Sequence, residues 1–298
     1  MREVLVVGDA IVDFVFRGVG RVPEPGEETV ASRFEVRPGG SAGYASLGLA
    51  ARDVDVRVSA PVGTDPLSER WLAFMSDHGV DTGPVDRVPE AGISTAAAIL
   101  TDTDRSFVTY RGAAGDASIE PPEVGASDIV LVSGFAQAPY LWSDDGVAAV
   151  RGLSEREGPV LLDTNWSPSG WREAFEAILP SIDYLLANDT EVRRLGGSDS
   201  IPDAAGALVD RGVGSCIVKA GEEGCLVVDG DGAETVPTDF AAAVDTCGAG
   251  DFFNAGFISA LAEGASATAA ARRGNRVAGE AISVFSIDDK LAAIGSLS

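Results

Sequence analysis

Strand-length apolar runs alternate with helical patterns along the 298 residues, and this alternation predicts a three-layer, doubly wound α/β fold built on a mostly parallel sheet. Two further observations shape that expectation. The strand-like runs are rich in Val, Leu and Ile, as strands covered by helices on both faces must be. Two turn-rich segments, 15–40 and 91–112, break the alternation and read as β-hairpins that project from the main sheet as a small β-sheet lid.

In chain order, "EVLVVGDAIVDFVF" (3–16) reads as a first buried strand. Gly8, Asp9 and Asp13 interrupt it and no small-residue cleavage site follows, so a signal peptide is not expected. "AGYASLGLAARD" reads as an Ala-rich helix, "VDVRVSAPVG" as a strand, and "PLSERWLAFMSDHG" as an amphipathic helix ending near His78. "DIVLVSGF", "GPVLLDTN", "IDYLLAND" and "SCIVKAG" complete the sheet, several of them followed by helical pattern. Open α/β sheets bind ligands at the carboxyl ends of their strands. Asp9, Asp163, Asn165, Asn188 and Lys219 stand there. No repeat, low-complexity tract or linker divides the chain. It reads as one α/β domain over 1–298, with the lid formed by insertions at about 14–38 and 92–112.

Hydrophobic residues make up 45% and charged residues 23%, a balance that supports a sizeable core and excludes global disorder. No run of about 18 apolar residues occurs, so no membrane span is expected. The formal net charge of −24 is spread along the chain and opposes nucleic acid and anionic lipid as partners. The expected location is cytoplasmic. Cys216, Cys225 and Cys247 form no C-x-x-C pair, and His78 is the single histidine, so a His/Cys zinc site is not expected. A Ser-His-Asp triad would need His78, which reads as a helix C-terminal residue; Cys247 reads as a small packing residue.

Neither G-x-x-x-x-G-K-[ST] nor a G-x-G-x-x-G after the first strand is present. Phosphate chemistry would need another cradle, and "VDTCGAGDFFNAGF" (244–257) offers one. A tight glycine turn feeding an apolar helix leaves backbone N–H groups outward, which suits an anion. Asp251, itself an anion, follows the turn; it reads either as a helix cap or as a proton acceptor.

This stretch closely resembles the D-T-x-G-A-G-D signature of the ribokinase-like (PfkB) carbohydrate kinases. Other segments follow the family's order: "FEVRPGGSAGYASLGLAARD" (34–53), "PVGTD" (61–65), "GV" (79–80), "DRSFVTYRGA" (104–113), "LANDTEVRRL" (186–195) and "VKAGEEGCLV" (218–227). The resemblance spans residues 4 to about 285. It implies a ribokinase-like fold and transfer of phosphate from ATP to a sugar or sugar-like hydroxyl. Asp251 is then the general base, with Gly248, Ala249 and Gly250 forming the anion hole. Asp13, Gly39, Gly40 and Tyr44 line the sugar pocket; Arg111, in the second lid hairpin, reads either as a contact to an anionic substrate or as a solvated lid residue. Asn188, Lys219, Gly221, Gly224 and Asn275 fall on the nucleotide side. Glu191 with Asn188 forms a Mg²⁺ and phosphate site held through water; a capping pair is the other reading of those two residues. ATP and Mg²⁺ are the implied cofactors, K⁺ is a further candidate, and a homodimer through the β lid is compatible with the family.

Two positions depart from the family pattern. Tyr44 replaces an asparagine that often bonds a sugar hydroxyl. Ser167 stands where many relatives carry the arginine of D-x-N-x-R, which weakens the case for a 2-keto-3-deoxygluconate or fructose kinase. The rival readings are a nucleoside kinase of the same family and a non-catalytic sugar- or nucleotide-binding regulator.

Only two lysines occur, Lys219 and Lys290, and the other basic residues are arginine. The acidic composition resembles that of haloarchaeal proteins, which stay soluble in molar salt, where screening shortens to about 3 Å. Removing that screening raises self-repulsion in a chain of net charge −24. The melting temperature is therefore expected to climb steeply from low salt to multimolar KCl, and a flat profile would overturn the halophilic reading.

Overall fold

The computed structural model describes residues 2–101, 105–117, 123–126, 128–166, 170–239 and 243–297. Fourteen strands are present among them: β1 (Val4–Gly8), β2 (Ile11–Arg17), β3 (Arg33–Gly39), β4 (Val56–Ser59), β5 (Pro61–Val62), β6 (Asp86–Arg87), β7 (Ser94–Leu100), β8 (Arg105–Tyr110), β9 (Ile129–Ser133), β10 (Val160–Asp163), β11 (Tyr184–Asn188), β12 (Ser215–Lys219), β13 (Cys225–Asp229) and β14 (Gly232–Val236). The main sheet has the order β14-β13-β12-β11-β10-β9-β1-β4. It is parallel from β4 to β12, and β13 and β14 add an antiparallel edge. A second sheet has the order β3-β2-β7-β8, and β5 pairs with β6. The helices are α1 (Ser41–Ala50), α2 (Pro66–Asp77), α3 (Gly112–Asp116), α4 (Asp144–Leu153), α5 (Arg172–Ile178), α6 (Asp189–Gly196), α7 (Ile201–Asp210), α8 (Ala249–Ala262), α9 (Ala267–Ile282) and α10 (Ile287–Gly295).

The continuous apolar runs are explained by two cores, one on each face of the main sheet. Val4, Val6, Ile129, Leu131 and Leu161 enter one core with Leu47, Trp71, Phe252, Val277 and Ile294 from α1, α2, α8, α9 and α10. Leu5, Val130, Val132, Val160 and Leu162 enter the other with Val150, Phe175, Val192 and Leu208 from α4 to α7. Successive strand residues point to opposite faces, so a strand between two helical layers has no solvent side.

The first predicted strand is in fact two. β1 ends in the main sheet at Gly8, and β2 starts the small sheet at Ile11. Gly8 abuts β9 so closely that a Cβ there would lie 2.0 Å from the Ser133 carbonyl oxygen. Asp9 then leaves the ladder and accepts a hydrogen bond from Ala42 N–H at 3.3 Å, covering the start of α1. The run at 54–63 is likewise divided, into β4 and β5. Both hairpins form, as β2–β3 and β7–β8, and the parallel β2–β7 pairing joins them into the separate sheet. Phe34, Val108 and Tyr110 of this sheet are exposed. Among the described residues no helix is long and apolar enough to cross a membrane.

Helix starts fall into two groups. Side chains of Asp65, Ser143, Asn188, Ser200, Ser266 and Ser286 cap α2, α4, α6, α7, α9 and α10. By contrast, α1 and α8 start at left-handed glycines, Gly40 and Gly248, with no such cap. Helix α8 is buried along Phe252–Leu261 and packs closely between α1 and α9. A Cβ on Gly256 would meet Val277 Cβ at 2.8 Å and the Arg273 carbonyl oxygen at 2.9 Å. Helix propensity alone favours Gly256→Ala by about 1 kcal/mol, but overpacking costs about 1–3 kcal/mol. The second effect should win because part of the clash is with backbone. Gly256→Ala is expected to lower the denaturant midpoint; an unchanged or raised midpoint would show that α9 can shift away.

Candidate active site

The glycine-led starts of α1 and α8 lie at the carboxyl edge of the parallel strands. Gly248 takes φ 76° and Asp251 stands in the first turn of α8. A Cβ on Gly248 would come within 3.2 Å of the rings of both Phe252 and Tyr44, so glycine is required there by conformation and by space. The N–H groups of Gly250 and Asp251 occupy positions with no acceptor inside the helix. Ala249 departs from the expected donor set. Its N–H is engaged with the Thr246 carbonyl at 3.2 Å, because that bond closes the turn leading into the helix.

Lys219, at the end of β12, extends over this turn. Its Nζ lies 3.4 Å from Asp163 Oδ2 and 3.3 Å from Asn254 Oδ1. A Cβ on Gly250 would be only 3.2 Å from that ammonium. Asn254, one turn beyond Asp251, donates its side-chain N–H to Asp163. Burial pushes the Asp251 carboxyl well above the usual carboxylate range; Asp163 adds to the shift, Lys219 opposes it, and Asp9 and Asp13 raise it further. Burial likewise raises Asp9 to about 7 and Asp13 to about 6. An ammonium beside the positive end of a helix is unfavourable in isolation, so the arrangement favours an anion placed between them.

Asp13 projects from β2 and is buried. Its Oδ2 accepts a 2.7 Å hydrogen bond from the hydroxyl of Tyr44, which is also buried. The glycine pair has a local explanation that differs from the expected approach of a sugar ring. A Cβ on Gly39 would be 2.3 Å from Asp13 Oδ2, and one on Gly40 would be 2.4 Å from the Asp9 carbonyl oxygen. The protein's own chain therefore fills both spaces. Arg111 follows β8, donates to Gln137 Oε1 at 3.4 Å and lies over the Trp142 ring at 5.6 Å. Ser167 lies outside the described residues.

Asn188 and Glu191 form a full capping box at the start of α6. Asn188 Oδ1 accepts from Glu191 N–H at 2.8 Å, and Glu191 Oε2 accepts from Asn188 N–H at 3.0 Å and from the Thr164 hydroxyl at 3.1 Å. The capping geometry is thus formed, and burial and Asp163 raise the Glu191 carboxyl. Among the described residues no group of three or more His, Cys, Asp or Glu side chains is arranged to hold a metal. Gly221 and Gly224 both take positive φ, at 57° and 86°, in the tight connection from β12 to β13. A Cβ on Gly221 would meet open space, whereas one on Gly224 would collide with the Val236 carbonyl oxygen at 2.2 Å. Asn275 is set differently from the expected nucleotide contact. Its side-chain N–H groups are given to the Val236 and Pro237 carbonyls at 3.0 and 3.3 Å, and so hold the end of the edge strand.

Asp163 and Asn165 were visible in the sequence only as polar strand ends, and Asn254 was not singled out. The spacing from Asp251 to Asn254, three residues along a helix, is the signal that could have found the latter. Asn165 adopts φ 53° and donates to Ser41 Oγ at 3.0 Å, tying the end of β10 to the start of α1. Arg37, Asp245 and Lys290 form a further buried charged cluster beneath the turn.

A doubly wound, mostly parallel sheet with a separate small sheet is the ribokinase-like architecture. The pfkB family carbohydrate kinase model matches residues 1–291, and the chain belongs to that family. Ribokinase of Bacillus subtilis (strain 168) is 27% identical over 292 residues, covering 96% of this chain and 94% of its own length. The 2-dehydro-3-deoxygluconokinase of Haemophilus influenzae is 26% identical over 260 residues, covering 80% and 82%. Arabidopsis thaliana ribokinase, solved with ribose and ATP, shares the fold at a TM-score of 0.80 and 23% identity, covering 100% of this chain and 99% of its own. The protein is accordingly a kinase of the pfkB sugar and nucleoside kinase class.

The raised carboxyls make stability depend on pH. An unfolded chain releases the Asp9 and Asp13 protons near 3.8, whereas the folded chain holds them up to about 7 and about 6. The stabilisation is full below about pH 4 and is lost as pH rises through the folded values. At constant molar KCl the unfolding free energy of the unliganded protein, and with it the melting temperature, should therefore fall between about pH 4 and 7, by about 1.4 kcal/mol per pH unit for each proton. Asp9→Asn, which keeps an acceptor for Ala42, should flatten that fall. An identical slope in the variant would show that Asp9 titrates normally.

Proposed function

We propose that this kinase transfers the γ-phosphoryl group of ATP to a hydroxyl of a sugar or sugar-like alcohol, with Asp251 as general base and the 248–251 turn as the anion site. The observation that carries the reading is Lys219 held over Gly250 at the uncapped start of α8. A cation and a helix N-terminus facing one point are complementary to the charge that develops on a transferring phosphoryl group. In this reading the acceptor hydroxyl lies between the Asp251 carboxylate and the γ-phosphorus. Its proton passes to Asp251 as its oxygen forms the new O–P bond. The bond from phosphorus to the bridging oxygen of ADP breaks, and ADP leaves with that electron pair. Burial makes the ionised Asp251 a stronger base than a free carboxylate, and Lys219 opposes the shift and favours the ionised form that takes the proton.

The substrate is oriented through Asp13, one oxygen of which is already engaged by Tyr44. That bond leaves the other oxygen for a substrate hydroxyl, and the Tyr44 ring occupies space that an asparagine would leave open. The small sheet, which carries Asp13, is read as the lid. Mg²⁺ fits this donor set as an ion that arrives with the nucleotide phosphates and keeps its waters, since Asn188 Oδ1 and Glu191 Oε2 are occupied by the capping box. There it would neutralise phosphate charge, with Glu191 and Asp163 as the nearby carboxylates.

Asp251→Asn keeps size and hydrogen bonding but cannot accept the proton. The expected result is a loss of about 10²–10⁴-fold in kcat, with calorimetric ATP affinity retained. Asparagine caps a helix about as well as aspartate, so a merely structural Asp251 would leave kcat within about threefold of wild type, far short of the general-base loss. Assay of the wild type against pentoses, hexoses, sugar acids and nucleosides identifies the acceptor. Turnover on nucleosides alone would favour the nucleoside kinase reading, and ATP binding without transfer to any acceptor would favour the regulator.

A further inference from the structure

Lys290, in the first half of α10, is fully buried. Its ammonium donates to the carbonyl oxygens of Asp245 at 2.9 Å and Cys247 at 3.1 Å, and lies 3.4 Å from Asp245 Oδ2. The Phe252 ring is 5.9 Å away. A buried ammonium is costly unless oxygens replace its water. Here the closest oxygens belong to the backbone, and this ordering is informative. The Asp245 carboxylate is already engaged, through Oδ2 by Arg37 Nη1 at 2.8 Å and through Oδ1 by Cys247 N–H at 2.9 Å. Lys290 is therefore not simply the counter-ion of Asp245. It is coordinated by inward-turned carbonyls of the segment that leads through Gly248 into α8.

Converging carbonyl and carboxylate oxygens are what a dehydrated monovalent cation needs. An ammonium is compact enough to stand among three such oxygens, whereas a planar guanidinium is not. This explains why a chain that otherwise uses arginine places one of its two lysines here. We propose that Lys290 is a tethered monovalent cation. It fills a carbonyl cradle under the turn, holds 245–248 in the shape that presents Gly250 and Asp251, and removes any need for free K⁺ at this point. Lys290 is a positioning residue, because its contacts are with the chain and not with reacting groups. The residues here do not fit an additional K⁺, since the ammonium occupies the oxygens that would bind it. The effect on turnover rests on the kinase reading above; the effect on stability does not.

The test uses the full chain in chloride salts of K⁺, NH₄⁺, Na⁺ and Li⁺ at constant ionic strength. Wild-type kcat and melting temperature should not depend on which cation is present. Lys290→Met keeps length without charge and should lose about 10–100-fold in kcat, as loss of an outer-shell support typically does, with ATP affinity less affected and no cation restoring it. Lys290→Ala opens the cradle, and its melting temperature and kcat should recover in K⁺ or NH₄⁺ but not in Li⁺. Specific activation of the wild type by K⁺ over Na⁺, or a Lys290→Met variant with wild-type kcat, would overturn the proposal. So would a Lys290→Ala chain that stays unfolded in K⁺ and NH₄⁺ alike. If the wild type phosphorylates no acceptor, the kinase reading fails, while the cation-specific melting of Lys290→Ala still decides the role of Lys290.

Discussion

Like charges crowd the carboxyl edge of the main sheet. Asp9, Asp13, Asp163, Glu191 and Asp245 are buried there, and Asp251 joins them at the start of α8. Carboxylates removed from water and set near one another cannot all stay ionised at ordinary pH without cations beside them. The protein supplies Arg37, Lys219 and Lys290, each on a different element: β3, β12 and α10. Placing those three cations requires the small sheet, the edge of the main sheet and the C-terminal helix to converge at one point. Most of the long-range architecture can be understood as the means of bringing them together. Burial nevertheless raises Asp9 and Asp13, and Glu191 and Asp251 with them.

The same charges divide the molecule into an outside and an inside with opposite rules. Outside, acidic residues dominate and basic residues are arginines, in pairs such as Arg193–Asp189 and Arg273–Glu263 that exposed solvent renders weak. Inside, the two lysines are spent where a point charge is needed among oxygens. Lys219 reaches the glycine turn at Gly250, and Lys290 binds the carbonyls of the segment leading into it. A net charge of −24 therefore coexists with two ammonium groups drawn to the start of α8.

Much of this was legible in the chain. Continuous Val, Leu and Ile runs gave the buried parallel strands because period-two burial on two faces leaves no polar position. The G-A-G-D turn was legible because a glycine turn before an apolar helix has few other uses. The break after Gly8 was not, since Val4–Gly8 and Ile11–Arg17 are both rich in apolar β-formers and follow one another within three residues, and only their pairing partners separate them. The need for glycine at 39 and 40 has a local cause that the chain did not display, since a Cβ there would meet Asp13 and the Asp9 backbone. Lys290 and Arg37 were illegible for a different reason. Each is separated from Asp245 by an interval that no local pattern encodes, and a lone basic residue in a helix or strand reads as surface.

The register of the small sheet sets Asp13 directly opposite Arg37 across the β2–β3 pair. Asp13 accepts from Tyr44, while Arg37 reaches the segment that precedes α8. One sheet therefore carries both the buried Asp13 and the strut that ties that sheet to the start of α8. Because the two residues stand side by side, the point at which the sheet is moored to that segment is also the point at which it carries Asp13. Rocking of the sheet about this mooring displaces its far turn most and Asp13 least, so the distance from Asp13 to the start of α8 is the quantity the mooring protects.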